Sequence, residues 1–335
     1  MSRRVRALAG RSFPWTGLDP ERRNSVLLIG GIGLVVLFAL ALIAYGYYDD
    51  RIAPKHATVL RVGERKFSYD YLERRAHANF VLGELSKSNL AQGIADTLTR
   101  VEREEVIRQT ARNDGVTVTE EELDRLLHSR LRIGFETSRE ELAARYRSEL
   151  LRLDLSLSEY RDIMLSELLE ARIRTNLQKN VPPETSYVNL GLIRTRLLAE
   201  AQDAEQRLDE GEPFAAVAAS VSIDSSRDKG GDRGWTPKGS LPPKVEAAAF
   251  AFSQPGLSDV IEVEDGGFFI IEVRGRDLRK VDEAGSKQIV DYALQDMLRK
   301  TVDSAGADFN LTAGQVQKIV AMLSQLVQKQ TESGA

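Results

Sequence analysis

The stretch Lys229-Gly230-Gly231-Asp232-Arg233-Gly234-Trp235 is a glycine-rich loop inside a run whose grammar differs from its surroundings. Before it, the sequence predicts a strand over Tyr187 to Arg194, a helix over Leu197 to Leu208 and an alanine-rich helix over Phe214 to Val221. After it come a short helix over 243–251 and two strands, Asp259 to Val263 and Phe268 to Val273, joined by Glu264-Asp265-Gly266-Gly267. Such a mixture over roughly 95 residues reads as a small α+β domain. Taken singly, Gly230, Gly231 and Gly234 read as turn glycines with φ > 0, Trp235 as core, and Asp224 as a loop aspartate bonding its own backbone.

Pro182-Pro183 marks the near edge of this domain, because neither proline continues a helix and Pro183 disfavours α at the residue before it. Upstream, Ala57 to Ser68 reads as a hairpin with Gly63 in its turn. Helices are predicted over Tyr69 to Leu85, Leu90 to Arg112, 119–133 and 138–152, and from a cap at Ser156 or Ser158 to about Asn180. Thr119 and Glu122 have the spacing of a capping box. Downstream, 282–303 and 312–330 return to helix. Val316, Ile319, Val320, Leu323, Leu326 and Val327 share one face, which suits core packing first and a partner contact second.

Val26 to Tyr45 carries no charge and no proline over 20 residues. At ~1.5 Å per residue a helix of that length crosses the hydrocarbon core of a bilayer. Tyr45, Tyr47 and Tyr48 follow at one end, where aromatic rings favour the headgroup layer. Six arginines (Arg3, Arg4, Arg6, Arg11, Arg22, Arg23) precede the run against Asp19 and Glu21, so the first 24 residues carry +4 and the rest −8 of the net −4. The positive-inside bias then places the N-terminus in the cytoplasm and residues 50–335 outside. The alternative, a cleaved signal peptide, normally has an apolar core of only ~7–15 residues, so an anchor is the first reading. The expected pieces are a basic tail (1–24), a transmembrane helix (25–48), a helical module (55–181), the α+β domain (184–278) and C-terminal helices (282–335).

Composition removes several functions. The net charge of −4 over 335 residues, with no basic stripe, argues against nucleic-acid binding. The absence of Cys excludes disulfides, thiolate metal sites and cysteine nucleophiles. His56, His77 and His128 lack HExxH spacing, which argues against a histidine-based zinc enzyme. No phosphate loop, cofactor motif or hydrolytic triad stands out, so neither a cofactor nor a metal is expected.

Seven pieces of 185–275, in order, resemble the parvulin (PpiC, rotamase) domain of extracytoplasmic foldases such as SurA, PrsA and PpiD. They are Val188 to Thr195, Gly211-Glu212-Pro213-Phe214 leading to Ala218, and Ser222-Ile223-Asp224, then Gly230 to Trp235, Ala248-Ala249-Phe250, Gly256 to Val260 and Gly267 to Val273. The anchor, the hairpin, the helices containing GVTVTEEELD (115–124) and the C-terminal helices resemble the rest of such a protein. The resemblance implies a chaperone module built from N- and C-terminal helices, with the parvulin domain inserted between them.

Active parvulins carry two histidines on adjacent central strands, an Asp or Cys beside them, and a Met and a Phe that grip the proline ring. At the matching positions this chain has Leu190 and Phe269 for the histidines, Leu241 for the Met and Val245 for the Phe, and no His follows His128. Asp224 alone keeps a family-like side chain and is the weak catalytic candidate; Leu241, Val245, Phe250 and Trp235 are the candidate substrate-binding residues. Leu190 and Phe269, beside each other, are expected to make packed core, leaving Asp224 without partners.

The first functional reading is therefore a single-pass, membrane-anchored extracytoplasmic chaperone. It would hold unfolded or translocating polypeptides in an apolar cradle between the helical module and a parvulin domain whose isomerase site has degenerated. The alternatives are an active peptidyl-prolyl isomerase, as the family implies, and a non-catalytic subunit of a membrane complex. A proline-peptide assay separates the second from the others, and breadth of clients separates the first from the third.

Overall fold

The computed structural model describes residues 53–132, 138–264 and 266–333. The expected tail and transmembrane helix over 1–24 and 25–48 lie outside these. Among the described residues no helix is long and apolar enough to cross a membrane.

A short helix, α1 (Ala53–His56), leads into a hairpin of β1 (Thr58–Val62) and β2 (Arg65–Ser68), followed by helices α2 (Tyr69–Val81) and α3 (Leu90–Asn113). Then come α4 (Glu120–Leu131), α5 (Arg139–Leu153) and α6 (Leu157–Gln178). Both polar N-termini form as their sequences dictate. Thr119 and Glu122 exchange side-chain and backbone hydrogen bonds at the start of α4. At α6 it is Ser156, not Ser158, that caps: its Oγ accepts from Glu159 N at 3.2 Å, while its own N donates to Glu159 Oε2 at 2.8 Å.

After the α+β insert, α10 (Glu283–Ala305), β8 (Ala307–Phe309) and α11 (Ala313–Ser333) return to this module. Strand β8 was absent from the sequence reading. Ala-Asp-Phe is too short to show alternation, yet it pairs antiparallel with β1, Leu60 opposite Phe309 and Val62 opposite Ala307. One core then joins the two ends of the chain: Leu60 and Phe67 of the hairpin meet Ile94 of α3, Ile173 of α6, Leu294 of α10, and Ile319 and Leu323 of α11. Val316, Val320, Leu326 and Val327 pack against it from the same face of α11. A second, smaller core gathers Leu123, Leu127, Leu153, Tyr160 and Met164 of α4, α5 and α6. A buried ion pair ties α2 to α3, Arg75 Nη1 and Nη2 donating to Glu104 at 2.8 and 2.7 Å. Burial alone would push the Arg75 guanidinium down; Glu104 outweighs it and raises it.

The insert begins with β3 (Glu184–Thr195), α7 (Leu198–Asp209) and α8 (Phe214–Val221). It continues through β4 (Asp232–Pro237), α9 (Pro243–Ala251), β5 (Gly256–Leu257), β6 (Ile261–Val263) and β7 (Gly267–Lys280). Its sheet runs β4-β3-β7-β5, with β6 also on β7. Two expectations are corrected. The glycine-rich loop ends at Gly231, and Asp232 to Pro237 is an edge strand on β3. The last strand does not stop at Val273: it continues through Arg274 to Lys280, charged residues that hide a strand from any apolar pattern, to pair with the start of β3.

The two faces of this sheet are covered differently. Helix α9 packs Val245 and Ala249 on Leu190, Leu192, Phe269 and Ile271. The opposite face packs Ile193 and Ile270 under Ala204 of α7 and Phe214, Val217 and Ala218 of α8. Two glycines permit this. Gly231 has φ +77°, and a Cβ there would lie 2.8 Å from the Leu192 carbonyl oxygen. Gly267 opens β7 at φ +85°, where a Cβ would come within 2.3 Å of the Thr195 carbonyl.

Glu159 links the α6 cap to α2 through an ion pair with Arg74. Burial pushes its carboxyl up, but hydrogen bonds from Arg74 and Ser156 outweigh this and hold it below the usual range. A carboxyl lowered on folding stabilises above its unfolded value and loses that contribution as the pH falls through its folded one. Glu159→Gln should therefore cost about 1 kcal/mol at pH 7, since the amide can still cap but not pair. Thermal melts of both proteins should show the gap shrink steadily below about pH 4.5.

Candidate functional site

Alternation along β3 and β7 sends Leu190, Leu192, Phe269, Ile271 and Val273 to the same face, where Leu241 and Val245 meet them. Leu241 arrives from the turn after β4, which Ser240 Oγ closes by donating to the Pro237 carbonyl at 2.6 Å. Val245 follows in the first turn of α9, a helix that begins with proline at its first position. All four residues are closed off from water: Leu190 and Val245 are 0% exposed, Leu241 3% and Phe269 5%. They are packed side chains, one against another.

Register corrects one detail. Leu190 lies opposite Val273, and Phe269 opposite Arg194, so the two are four residues apart along the ladder and not cross-strand neighbours. They share one core through the residues between them. Arg194 lies over Phe269: its guanidinium carbon is 5.6 Å from the ring centroid, while its Nε donates to the Gly266 carbonyl at 2.8 Å. Its place in the alternation with Leu190 and Leu192 carried this signal, but a lone arginine ending an apolar strand reads as solvated.

Asp224 is not left alone, contrary to expectation. Its Oδ1 accepts from Ser226 N at 2.9 Å and Ser226 Oγ at 2.6 Å, and its Oδ2 pairs with Arg233 Nη1 at 3.1 Å. With 12% of its side chain exposed, it organises the loop from Ser222 to Gly231. That loop is stitched to β3 by Ile223 N donating to Arg194 O at 2.8 Å and Leu192 N donating to Gly231 O at 2.8 Å. Arg233 and Ser226 were missed, and nine residues of separation give the Arg233 pair no local spacing to find it by.

The remaining candidates divide. Phe250 packs at the edge of the α9 core, with Arg276 over its ring at 5.7 Å. Trp235 does not join it: paired with Asn189, it points to the other face, between Gly275 and the Arg279 guanidinium 3.5 Å above its ring. Among the described residues, no group of three or more His, Asp and Glu side chains is placed to hold a metal ion.

The signature of the PPIC-type PPIase domain matches residues 193–277. Over 92 residues the chain is 39% identical to the peptidyl-prolyl cis-trans isomerase PIN4 of Gibberella zeae, covering 27% of this chain and 68% of that one. This chain belongs to the parvulin family. Beyond the parvulin domain, it is 28% identical over 220 residues to the foldase protein PrsA of Caldanaerobacter subterraneus, covering 64% of this chain and 67% of that one. A crystal structure of PrsA from Bacillus anthracis aligns with 64% of this chain and 99% of its own, at 18% identity and a TM-score of 0.38. Beside its parvulin domain, the chain is similar to foldases and chaperones named PrsA, SurA and PpiD.

In this parvulin domain Leu190, Leu241, Val245 and Phe269 are structural core. Leu190→Ala should then behave as a large-to-small change in a packed interior, costing about 2–5 kcal/mol. Denaturant unfolding of the purified protein tests this; a loss well under 1 kcal/mol would mean that Leu190 lines an open cavity.

Proposed function

We propose that this protein is a membrane-anchored extracytoplasmic chaperone that binds unfolded or translocating polypeptides, and that its parvulin domain no longer isomerises proline. The observation that carries the second half is the burial of Leu190, Leu241, Val245 and Phe269 in one apolar cluster. Isomerisation turns an X–Pro bond over ~18–20 kcal/mol through an amide that has lost its resonance. A catalyst must take the proline ring into a pocket and set polar groups around the rotating bond. Here the pocket positions are filled by side chains, and Asp224 already serves Ser226 and Arg233.

The helical module supplies the binding surface in this reading. A cleft of about 700 Å³ between α2, α3, α5 and α6 has Ala78, Ile107, Tyr160 and Met164 in its lining. Charge pairs such as Arg103–Glu170 and Arg130–Glu167 border it. Apolar groups within a rim of paired charges suit unfolded chains, which offer hydrophobic side chains and unpaired backbone together. A second cavity, of about 760 Å³, lies where the insert meets the module, with Val181, Pro182, Pro183 and Val290 beside Arg174 and Asp282 in its walls. The extracytoplasmic placement rests on the sequence of residues 1–50 and on relatives named as foldases and as a periplasmic chaperone.

The full chain, assayed on Ala-X-Pro-Phe peptides, should leave exchange within about twofold of the uncatalysed rate while suppressing aggregation of a denatured client. A large acceleration abolished by Asp224→Ala would overturn this function.

The division of labour has its own test. The insert enters and leaves through adjacent strands, Glu184 opposite Lys280, with Val281 N donating to Pro183 O at 2.9 Å. Its two ends are therefore only about 5 Å apart, a gap that a short loop closes at small entropic cost. Replacing 184–278 with a Gly/Ser linker should leave a helical protein, by circular dichroism, that still suppresses aggregation. A folded but inert product would move the client surface to the parvulin domain.

A further inference from the structure

Between α2, α5 and the start of α6 lies an open groove of about 810 Å³, floored by Leu142, Tyr146, Leu150 and Leu155. Its lip is apolar as well. Leu151 is 75% exposed and Leu157 47%, two of the large hydrophobic side chains most open to water in the described residues. Arg147 stands one helical turn before Leu151 and has no carboxylate partner among the described residues, whereas Arg74 on the opposite wall is held by Asp70 and Glu159. Exposed leucines on α5 and at the start of α6, with a tyrosine and an arginine on α5, form the side-chain set that settles at a bilayer interface. There the apolar bodies enter the acyl boundary and the guanidinium reaches phosphate.

The groove also stands where the chain comes from the membrane in the proposed reading. Helix α1 packs on α2. On α2, Glu73 precedes Arg74 of the groove wall, and its carboxyl feels both Lys55 of α1 and Asp154 of the groove. Only residues 49–52 separate α1 from the expected span ending at Tyr48, and the five Cα steps from Tyr48 to Ala53 reach at most ~18 Å when fully extended. Helix α1 is therefore tethered close to the expected span, which lets the module rest on the headgroups.

We propose that the Leu151–Leu157 lip is a lipid-contact surface, with α5 lying against the outer leaflet and Arg147 on a phospholipid phosphate. This rests on the reading of 25–48 as a membrane anchor. The absence of cysteine makes the test direct, since one introduced thiol labels uniquely. Full-length Leu151→Cys and Leu157→Cys proteins, and Leu278→Cys as a control on the exposed end of β7, are labelled with NBD. Each is reconstituted into vesicles of phosphatidylethanolamine and phosphatidylglycerol.

With doxyl lipids present, the labels at 151 and 157 should lose about half their intensity and shift to the blue, while the label at 278 stays unchanged. If all three labels stay unquenched while the protein resists carbonate extraction, the lipid contact is overturned and the anchor stands. If carbonate strips the protein from the vesicles, the anchor reading fails and the contact falls with it. A blue shift without lipid quenching that grows with the protein-to-lipid ratio would assign the lip to a second copy of the chain, which also overturns the proposal.

Discussion

The antiparallel pairing of β3 with β7 runs from Glu184 opposite Lys280 to Thr195 opposite Phe268, and both the domain plan and the candidate site depend on it. At its outer end it brings the entry and exit of the insert side by side. Helices α6 and α10 can therefore meet across an interruption of the chain, with Arg174 reaching Asp291 and Gln178 reaching Ser286. Strand β8 on β1 makes the same closure from the other end. Two ladders thus let residues far apart in sequence fill one core, and neither needs a long loop. At its inner end the pairing fixes which side chains face α9. A slip of one residue would turn Leu190 and Phe269 out of the core and bring Asn189 and Phe268 in.

That register decides the chemistry available. Leu190 and Phe269 are separated by Leu192 and Ile271, so even their common core is apolar from end to end. The polar groups nearby have other work: Arg194 shields a ring, Ser222 accepts from Arg194 N at 3.2 Å, and Asp224 holds Ser226 and Arg233. Each polar group is used to fix a loop or cover an aromatic face.

Much of this was legible in the residues. The alanine-rich helix at Phe214–Val221 and the proline-started helix at 243–251 announce themselves, and Thr119 with Glu122 marks a helix start without ambiguity. The losses have physical causes. Strand β8 is three residues long, the second half of β7 is charged, and β4 contains Gly234 in its middle, so none shows apolar alternation. In the candidate site, burial of the four apolar residues follows from their types. The face on which Trp235 sits does not, because it depends on β4 pairing at one register with Asn189. Nor could sequence reveal that Asp224 has an arginine partner, since that contact exists only once β4 is folded beside the loop.

On the proposed reading, two histidines alone would not make an isomerase of this packed cluster. An imidazole at 190 would be buried among Val188, Leu192 and Val273, where its nitrogens meet no polar partner and each unsatisfied group costs about 1–3 kcal/mol. One at 269 would meet Arg194 on its open side, which disfavours its charged form and offers no acceptor. The pocket would remain filled by Leu241 and Val245. In the proposed reading, isomerisation needs the polar pair, its partners and an empty space together, and Leu190, Leu241, Val245 and Phe269 are packed core instead. The proposed function then rests on surfaces that stay open, among them those of the helices that β1–β8 and β3–β7 hold together.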